Sequence, residues 1–179
     1  MDNKEIVSKL IENIDTTIAI LKNQTDFCKK VWEGYVDKVL KAIAKDLKLE
    51  IKNVESFLSD KNAKLLFERE NYRNCFAIEN NNGIIGYGIY SERENEARNP
   101  LWGPEDRMNN QWPYGYKYLG EDGTKRNNIE NWYNISTIEQ LVKECRMDYD
   151  ELKNKSQIGK ELIEQLDKFK KLNQKSKNQ

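Results

Sequence analysis

The N-terminal part of the chain carries apolar residues at the spacing of an amphipathic helix. Two series recur every seven positions, as in a coiled-coil seam: Ile11, Ile18, Thr25, Trp32 and Val39, and Ile14, Leu21, Cys28, Tyr35 and Ala42. The pattern predicts helix over residues 3–49, either as one long helix or as a helical hairpin folded back at residues 23–26. It leaves open whether the seam closes on the C-terminal helix or on a second copy of the chain.

Alternating apolar residues around an Asn82-Gly83 dipeptide predict a β-hairpin over residues 74–91. The turn sets the register, which pairs Phe76 with Ile89, Ala77 with Gly88, Ile78 with Tyr87 and Glu79 with Gly86. One face is apolar and is expected to form the floor of the core; it carries Phe76, Ile78, Ile85, Tyr87 and Ile89. The other face carries Glu79, Gly86 and Gly88 as candidate binding residues, and it is either covered by the chain or open to a ligand.

Residues 101–118 are rich in aromatic side chains, interrupted by glycine and proline. The candidate binding residues in this segment are Trp102, Arg107, Trp112, Tyr114, Tyr116 and Tyr118. The three tyrosines alternate, which predicts a strand with its rings on one face. Three roles stay open for this segment. Its rings can pack into the core and hold the loop in place, or they can form a protein-binding surface, since Trp, Tyr and Arg are common in interface hot spots. The third role is base stacking on single-stranded nucleic acid.

The remaining segments predict helices and one further strand. Residues 64–70 predict a strand beside the hairpin, and residues 53–60 a short helical or looped link. Ser136 and Glu139 have the spacing of a capping box and predict that a helix begins there.

The predicted fold is α+β. It has a small antiparallel sheet of three or four strands, with a long N-terminal helix and C-terminal helices packed on one face. We expect a single domain over residues 1–172, with the sheet in 64–135, the C-terminal helices in 136–172 and a frayed tail at 173–179. The last of these helices is predicted near residues 156–172.

Charge and composition exclude several classes of protein. The chain has 30 Lys and Arg against 30 Asp and Glu, so its formal net charge is zero. Non-specific coating of DNA or RNA depends on net positive charge and is therefore not expected. There is no histidine, and Cys28, Cys75 and Cys145 are far apart without CxxC spacing. We expect no catalytic residue, no metal site and no cofactor.

Two carboxylate patterns are candidates for a metal-binding or ligand-binding site. Glu50-Ile51-Lys52 matches the E-x-K signature of metal-dependent nucleases, but the trio ends a helical pattern, and we interpret it as a solvated helix end. Glu79 lies in mid-strand between small residues. It is expected to form an ion pair with an arginine such as Arg73 or Arg93, with ligand binding as the alternative.

The run from Leu65 to Asn134 resembles the C-terminal part of some bacterial PD-(D/E)XK nuclease-superfamily proteins. The matching segments are Gly86-Tyr87-Gly88-Ile89-Tyr90, Asn99-Pro100, Trp112-Pro113-Tyr114-Gly115, Tyr116-Lys117-Tyr118 and Trp132. The catalytic PD and (D/E)xK segments of that family have no convincing counterpart here. The resemblance therefore implies the accessory part of such a protein without its active site.

These observations lead us to expect a binding protein rather than an enzyme. Lys, Asn and Ile make up about a third of the chain, which indicates an AT-rich genome such as that of a phage or mobile element. The function expected first is inhibition of a bacterial nuclease or CRISPR-type defence effector through a protein–protein contact. The alternatives are nucleic-acid binding or residual nuclease activity, and sequestration of a small nucleotide in a pocket beside Gly86 and Gly88. The expected location is the cytoplasm, of the host cell if a phage encodes the chain, because the sequence shows no signal peptide and no membrane-spanning run.

Overall fold

The structure, a computed structural model, describes residues 11–16, 23–60, 62–69, 74–81, 83–91, 112, 115–119 and 134–175. The helices are α1 (Gln24–Tyr35), α2 (Lys41–Leu47), α3 (Val54–Ser59), α4 (Ile135–Glu144), α5 (Tyr149–Lys155) and α6 (Ile158–Lys175). A π-helical turn at Val36–Leu40 joins α1 to α2. The strands are β1 (Glu50–Lys52), β2 (Lys64–Glu68), β3 (Cys75–Asn81), β4 (Ile84–Tyr90) and β5 (Tyr116–Tyr118). The α+β class is confirmed.

The five strands form one antiparallel sheet in which the spatial order is the order along the chain. The predicted hairpin register is confirmed, with Ala77 opposite Gly88 and Glu79 opposite Gly86. Gly83 has φ of 88°, as the two-residue turn requires. The predicted number of three or four strands is too low. The strand that was missed is β1, which has only three residues and directly follows a helix.

The N-terminal helix differs from the prediction at its start and in its phase. Helix α1 begins at Gln24, after Asn23 with φ −103° and ψ 11°, so one uninterrupted helix over residues 3–49 is wrong. Residues 11–16 are largely helical, and Ile11 and Ile14 are exposed rather than packed in a seam. How this segment joins α1 lies outside the described residues.

The π-helical turn changes which residues of this helix reach the core. Trp32, Tyr35 and Val39 are buried as the seven-residue repeat predicts. The next seam position, Ala42, is exposed, and Ile43 is buried in its place. A π-helical turn contains one residue more than an α-helical turn, so the apolar stripe advances by one position after it.

The core lies between the inner face of the sheet and the helices. Phe76, Ile78, Ile85, Tyr87 and Ile89 are all at most 1% exposed, which confirms the predicted floor. Helix α6 covers it with Ile158, Leu162, Ile163, Leu166 and Phe169. Tyr87 also donates a hydrogen bond of 2.6 Å to Glu161, which fixes the position of α6 over the sheet.

The caps of the C-terminal helices also differ from the prediction. Asn134 caps α4, since its side chain accepts a hydrogen bond of 2.8 Å from the Ser136 N–H. The predicted capping box at Ser136 is therefore wrong, because Ser136 already lies inside the helix. Helix α5 was not predicted; Asp148 caps it by accepting from the Glu151 N–H. Helix α6 continues to Lys175, beyond the predicted end at residue 172.

The buried carboxylate of Glu144, at the end of α4, joins three helices. It accepts hydrogen bonds from Tyr35 Oη at 2.7 Å, Gln140 Nε2 at 2.8 Å, and the backbone N–H groups of Gln157 at 2.9 Å, Ile158 at 2.8 Å and Gly159 at 2.8 Å. The backbone donors belong to the start of α6, where N–H groups have no acceptor within the helix. Burial and the nearby Glu144 charge raise the pKa of Tyr35 well above its usual value, so this phenol stays a donor.

Replacing Glu144 with alanine should lower the free energy of unfolding by about 3 kcal/mol or more, because several buried donors lose a charged acceptor together. Glu144→Gln keeps the shape but replaces one acceptor oxygen by a donor, and it should fall between alanine and the native residue. Urea denaturation followed by circular dichroism measures both variants.

The matched control is Glu139→Gln on the same helix, where the side chain is exposed. Its effect should stay within about 0.5 kcal/mol. An equal loss in both glutamine variants would contradict the role assigned to Glu144.

Candidate functional site on the outer face of the sheet

The candidate site lies on the face of the sheet opposite the helices. The register brings the predicted site residues into two transverse rows there. One row contains Leu66, Ala77, Gly88 and Tyr116, and the next contains Lys64, Glu79, Gly86 and Tyr118. Strand β5 pairs directly with β4, so Tyr116 and Tyr118 lie on the same face as Gly86 and Gly88.

The two glycines of β4 make room for aromatic rings. A Cβ added at Gly86 would collide with Oη and Cζ of Tyr116, and one at Gly88 would lie 2.8 Å from Trp112 Cε3. Trp112 and Tyr116 are 5% and 8% exposed and pack on Ala77 as a second, small apolar cluster. The outer face at the glycines is therefore covered, and the predicted nucleotide pocket beside Gly86 and Gly88 is occupied by these rings.

Four aromatic rings form a continuous chain across this face. The ring centres are 5.5 Å apart between Tyr90 and Trp112, 4.9 Å between Trp112 and Tyr116, and 5.5 Å between Tyr116 and Tyr118. The two central rings are buried, while Tyr90 and Tyr118 at the ends are half-buried. Together with half-buried Leu66, they present the accessible apolar surface of this cluster.

A lysine and a glutamate are held beside the rings. Lys64 Nζ lies 2.8 Å from Glu79 Oε1 and 5.2 Å from the centre of the Tyr90 ring. Within the described residues, Glu79 forms its ion pair with Lys64, which is its cross-strand neighbour. Sequence reasoning missed Lys64 because it left the register between β2 and β3 unassigned; Arg73 and Arg93 lie outside the described residues.

A hollow of about 260 Å³ adjoins the aromatic chain. Its apolar lining comes from Ala63, Leu66 and Tyr90, and its polar lining from Asn53, Ser56, Asn62 and Lys64. None of these seven residues was a candidate in the sequence. The available signal was the alternation along β2, which places Lys64 and Leu66 on one face of that strand.

The E-x-K trio lies on a strand, so its interpretation as a solvated helix end is wrong. Glu50 faces Glu68 across β1 and β2, and Lys52 forms an ion pair with Glu68. This contact raises the pKa of Lys52. Within the described part of the chain, no three His, Cys, Asp or Glu residues are grouped closely enough to hold a metal ion.

Three other predicted site residues, Trp102, Arg107 and Tyr114, lie outside the described residues. The three cysteines form no disulfide bond, and burial raises the pKa of Cys28 and of Cys145, which disfavours their reactive thiolate forms.

The comparisons with protein families, curated proteins and solved structures give no match to this chain. Among the helices that the structure describes, none combines the length and the apolar character required to cross a bilayer.

Gly88→Ala should lower the free energy of unfolding by about 1–3 kcal/mol, because the added methyl group would press on Trp112 and on the Gly115 carbonyl oxygen. Gly34→Ala is the matched control. A Cβ at Gly34 meets no atom within 4 Å, and this helical position should gain up to about 1 kcal/mol. Thermal and urea unfolding measure both variants, and destabilisation by both substitutions to a similar extent would contradict the close approach at Gly88.

Proposed function

We propose that this chain is a non-catalytic protein-binding module that acts through the outer face of its sheet. The observation that supports the proposal is the chain of four aromatic rings seated on Gly86 and Gly88. Its central rings are buried, and its two end rings are accessible. Such a surface combines apolar area with a fixed shape.

The described contacts favour recognition of another protein. Tyrosine and tryptophan contribute large contact areas at a small cost in side-chain entropy, and they are enriched among the residues that dominate binding energy. Here the Tyr90 ring packs against Trp112, with ring centres 5.5 Å apart, and Lys64 Nζ lies 5.2 Å from its centre. Because these side chains are already ordered by packing, a partner would lose little free energy in ordering them.

The partner class that we propose is a bacterial nuclease or CRISPR-type effector, bound by an inhibitor encoded on a phage or mobile element. What supports this step is the Lys-, Asn- and Ile-rich composition together with the neutral net charge. A neutral chain gains little from the electrostatic attraction that drives direct nucleic-acid binding. We place the protein in the cytoplasm of the cell in which such an effector acts.

Substituting either of the two accessible rings should weaken partner binding. Tyr90→Ala and Tyr118→Ala should each reduce recovery of a co-purifying partner about tenfold or more, since both remove apolar contact area from the face. The measurement is affinity purification of the tagged chain from the native host, with the partner identified by mass spectrometry and its affinity measured by calorimetry.

Phe27→Ala is the control variant, because Phe27 is 55% exposed on α1, away from the sheet face. It should leave partner affinity unchanged. Equal loss in Phe27→Ala, or full affinity in both tyrosine variants, would contradict the proposed surface.

A metal-dependent nuclease is the second candidate, and one observation favours it. Glu50 and Lys52 lie on the same face of β1, and a second carboxylate, Glu68, faces Glu50 from β2. Two carboxylates can hold Mg²⁺ when water completes its coordination, and a nearby lysine can stabilise developing negative charge.

If this candidate is correct, the purified chain cleaves DNA or RNA in Mg²⁺ or Mn²⁺ and loses the activity in excess chelator. Glu50→Gln and Glu68→Gln should then reduce cleavage to background, while Glu55→Gln, an exposed carboxylate on α3, should not. Cleavage that persists in both glutamine variants would exclude this pair as the site.

A further inference from the structure

The hollow beside Tyr90 has the chemistry of a site for one acidic side chain. We propose that it binds the carboxylate of a glutamate or aspartate that the protein partner presents. This inference rests on the proposed function and identifies the feature of the partner that this face recognises.

Lys64 supplies the positive charge of the site and is already held in place. Its side chain is 22% exposed, with Nζ 2.8 Å from Glu79 Oε1 and 5.2 Å from the centre of the Tyr90 ring. An ammonium group has three donors, and one contact with Glu79 Oε1 uses one of them. A second carboxylate can therefore be bound by the same ammonium group without breaking the ion pair.

The other polar groups of the hollow suit a carboxylate as well. Asn53, Ser56 and Asn62 contribute side-chain amides and a hydroxyl, each of which can donate a hydrogen bond. None of the lining residues that the structure describes is acidic. An incoming carboxylate thus meets donors and one ammonium group, and hydrogen bonds to a charged acceptor are the stronger class.

The size and the apolar lining favour a side chain over a whole small molecule. The hollow measures about 260 Å³, below the range of about 300–1,000 Å³ typical of pockets that enclose complete ligands. Leu66 and Tyr90 offer apolar surface to the methylene groups of the guest. Lys64 and the neighbouring donors favour an anionic guest over a cationic one, and the guest to compare with it is a neutral amide such as glutamine.

The test is a proton–nitrogen correlation NMR titration of the free chain with two blocked amino acids. The probe is N-acetyl-glutamate N-methylamide, and its neutral isostere N-acetyl-glutamine N-methylamide is the comparison. The glutamate probe should give saturable shifts of the backbone amides of Asn53, Ser56 and Asn62 at millimolar concentration. Binding of the glutamine probe should be about tenfold weaker or more, because it forms no charge-assisted bond with Lys64.

Variants at Lys64 test the source of the charge. Lys64→Met keeps the methylene packing and should abolish the shifts, and Lys64→Arg, which keeps both the charge and the ion pair, should retain them. Lys155→Met is the matched control, because Lys155 is an exposed lysine paired with Glu151 on α5. It should bind the probe like the native chain.

Several outcomes would overturn the assignment: absent shifts, equal binding of the two probes, undiminished binding in Lys64→Met, or tighter binding of inorganic phosphate than of the glutamate probe. The titration needs no partner protein, so its failure would reject only the proposed carboxylate site in the hollow. The proposed function is tested separately, by recovery of a partner with Tyr90→Ala and Tyr118→Ala.

Discussion

The helical layer depends on a carboxylate that is removed from water. Glu144 is completely buried, and its oxygens take up the unsatisfied N–H groups at the start of α6 and the phenol of Tyr35. A charge in this position is stabilised only when all of its partners are present. It therefore links the end of α4, the end of α1 and the beginning of α6, so that these helices keep one arrangement over the sheet. The hydrogen bond from Tyr87 to Glu161 then relates that arrangement to β4.

The inner and outer faces of the sheet have different surroundings, although the same strands form both. Its inner face is a continuous apolar layer under the helices, formed by alternate residues of β3 and β4. On its outer face the middle of β4 carries no side chains, and aromatic rings from Trp112 and β5 fill the space over Gly86 and Gly88. The small cluster is thus part of the scaffold at its centre and accessible at its ends. This division explains why residues such as Tyr90 can be ordered and still be available to a partner.

The local signals of the hairpin predicted well, whereas the capping signal at Ser136 and the long-range pairings did not. The Asn82-Gly83 turn and the strict alternation around it were sufficient for the register of β3 and β4 and for the core floor. Strand β1 was not predicted because three residues are too few to show the two-residue alternation of a strand. The π-helical turn was not predicted because the seven-residue repeat of the N-terminal segment gives no sign of an extra residue before Ile43. The positions of Glu144 and Lys64 depend on which distant elements meet them, and a single sequence gives no information on such pairing.

The edge strands of the sheet restrict how another protein can bind to it. Within the described residues, each edge strand has only three residues, and the exposed edge at β1 places charged Glu50 and Lys52 on either side of Ile51. The short, charged edge at β1 offers few free backbone groups to an incoming strand, so a partner would gain little by extending the sheet there. Recognition would instead depend on matching a rigid surface of side chains. Such matching is sensitive to single substitutions on either partner, and escape from binding would require few changes in the partner's sequence.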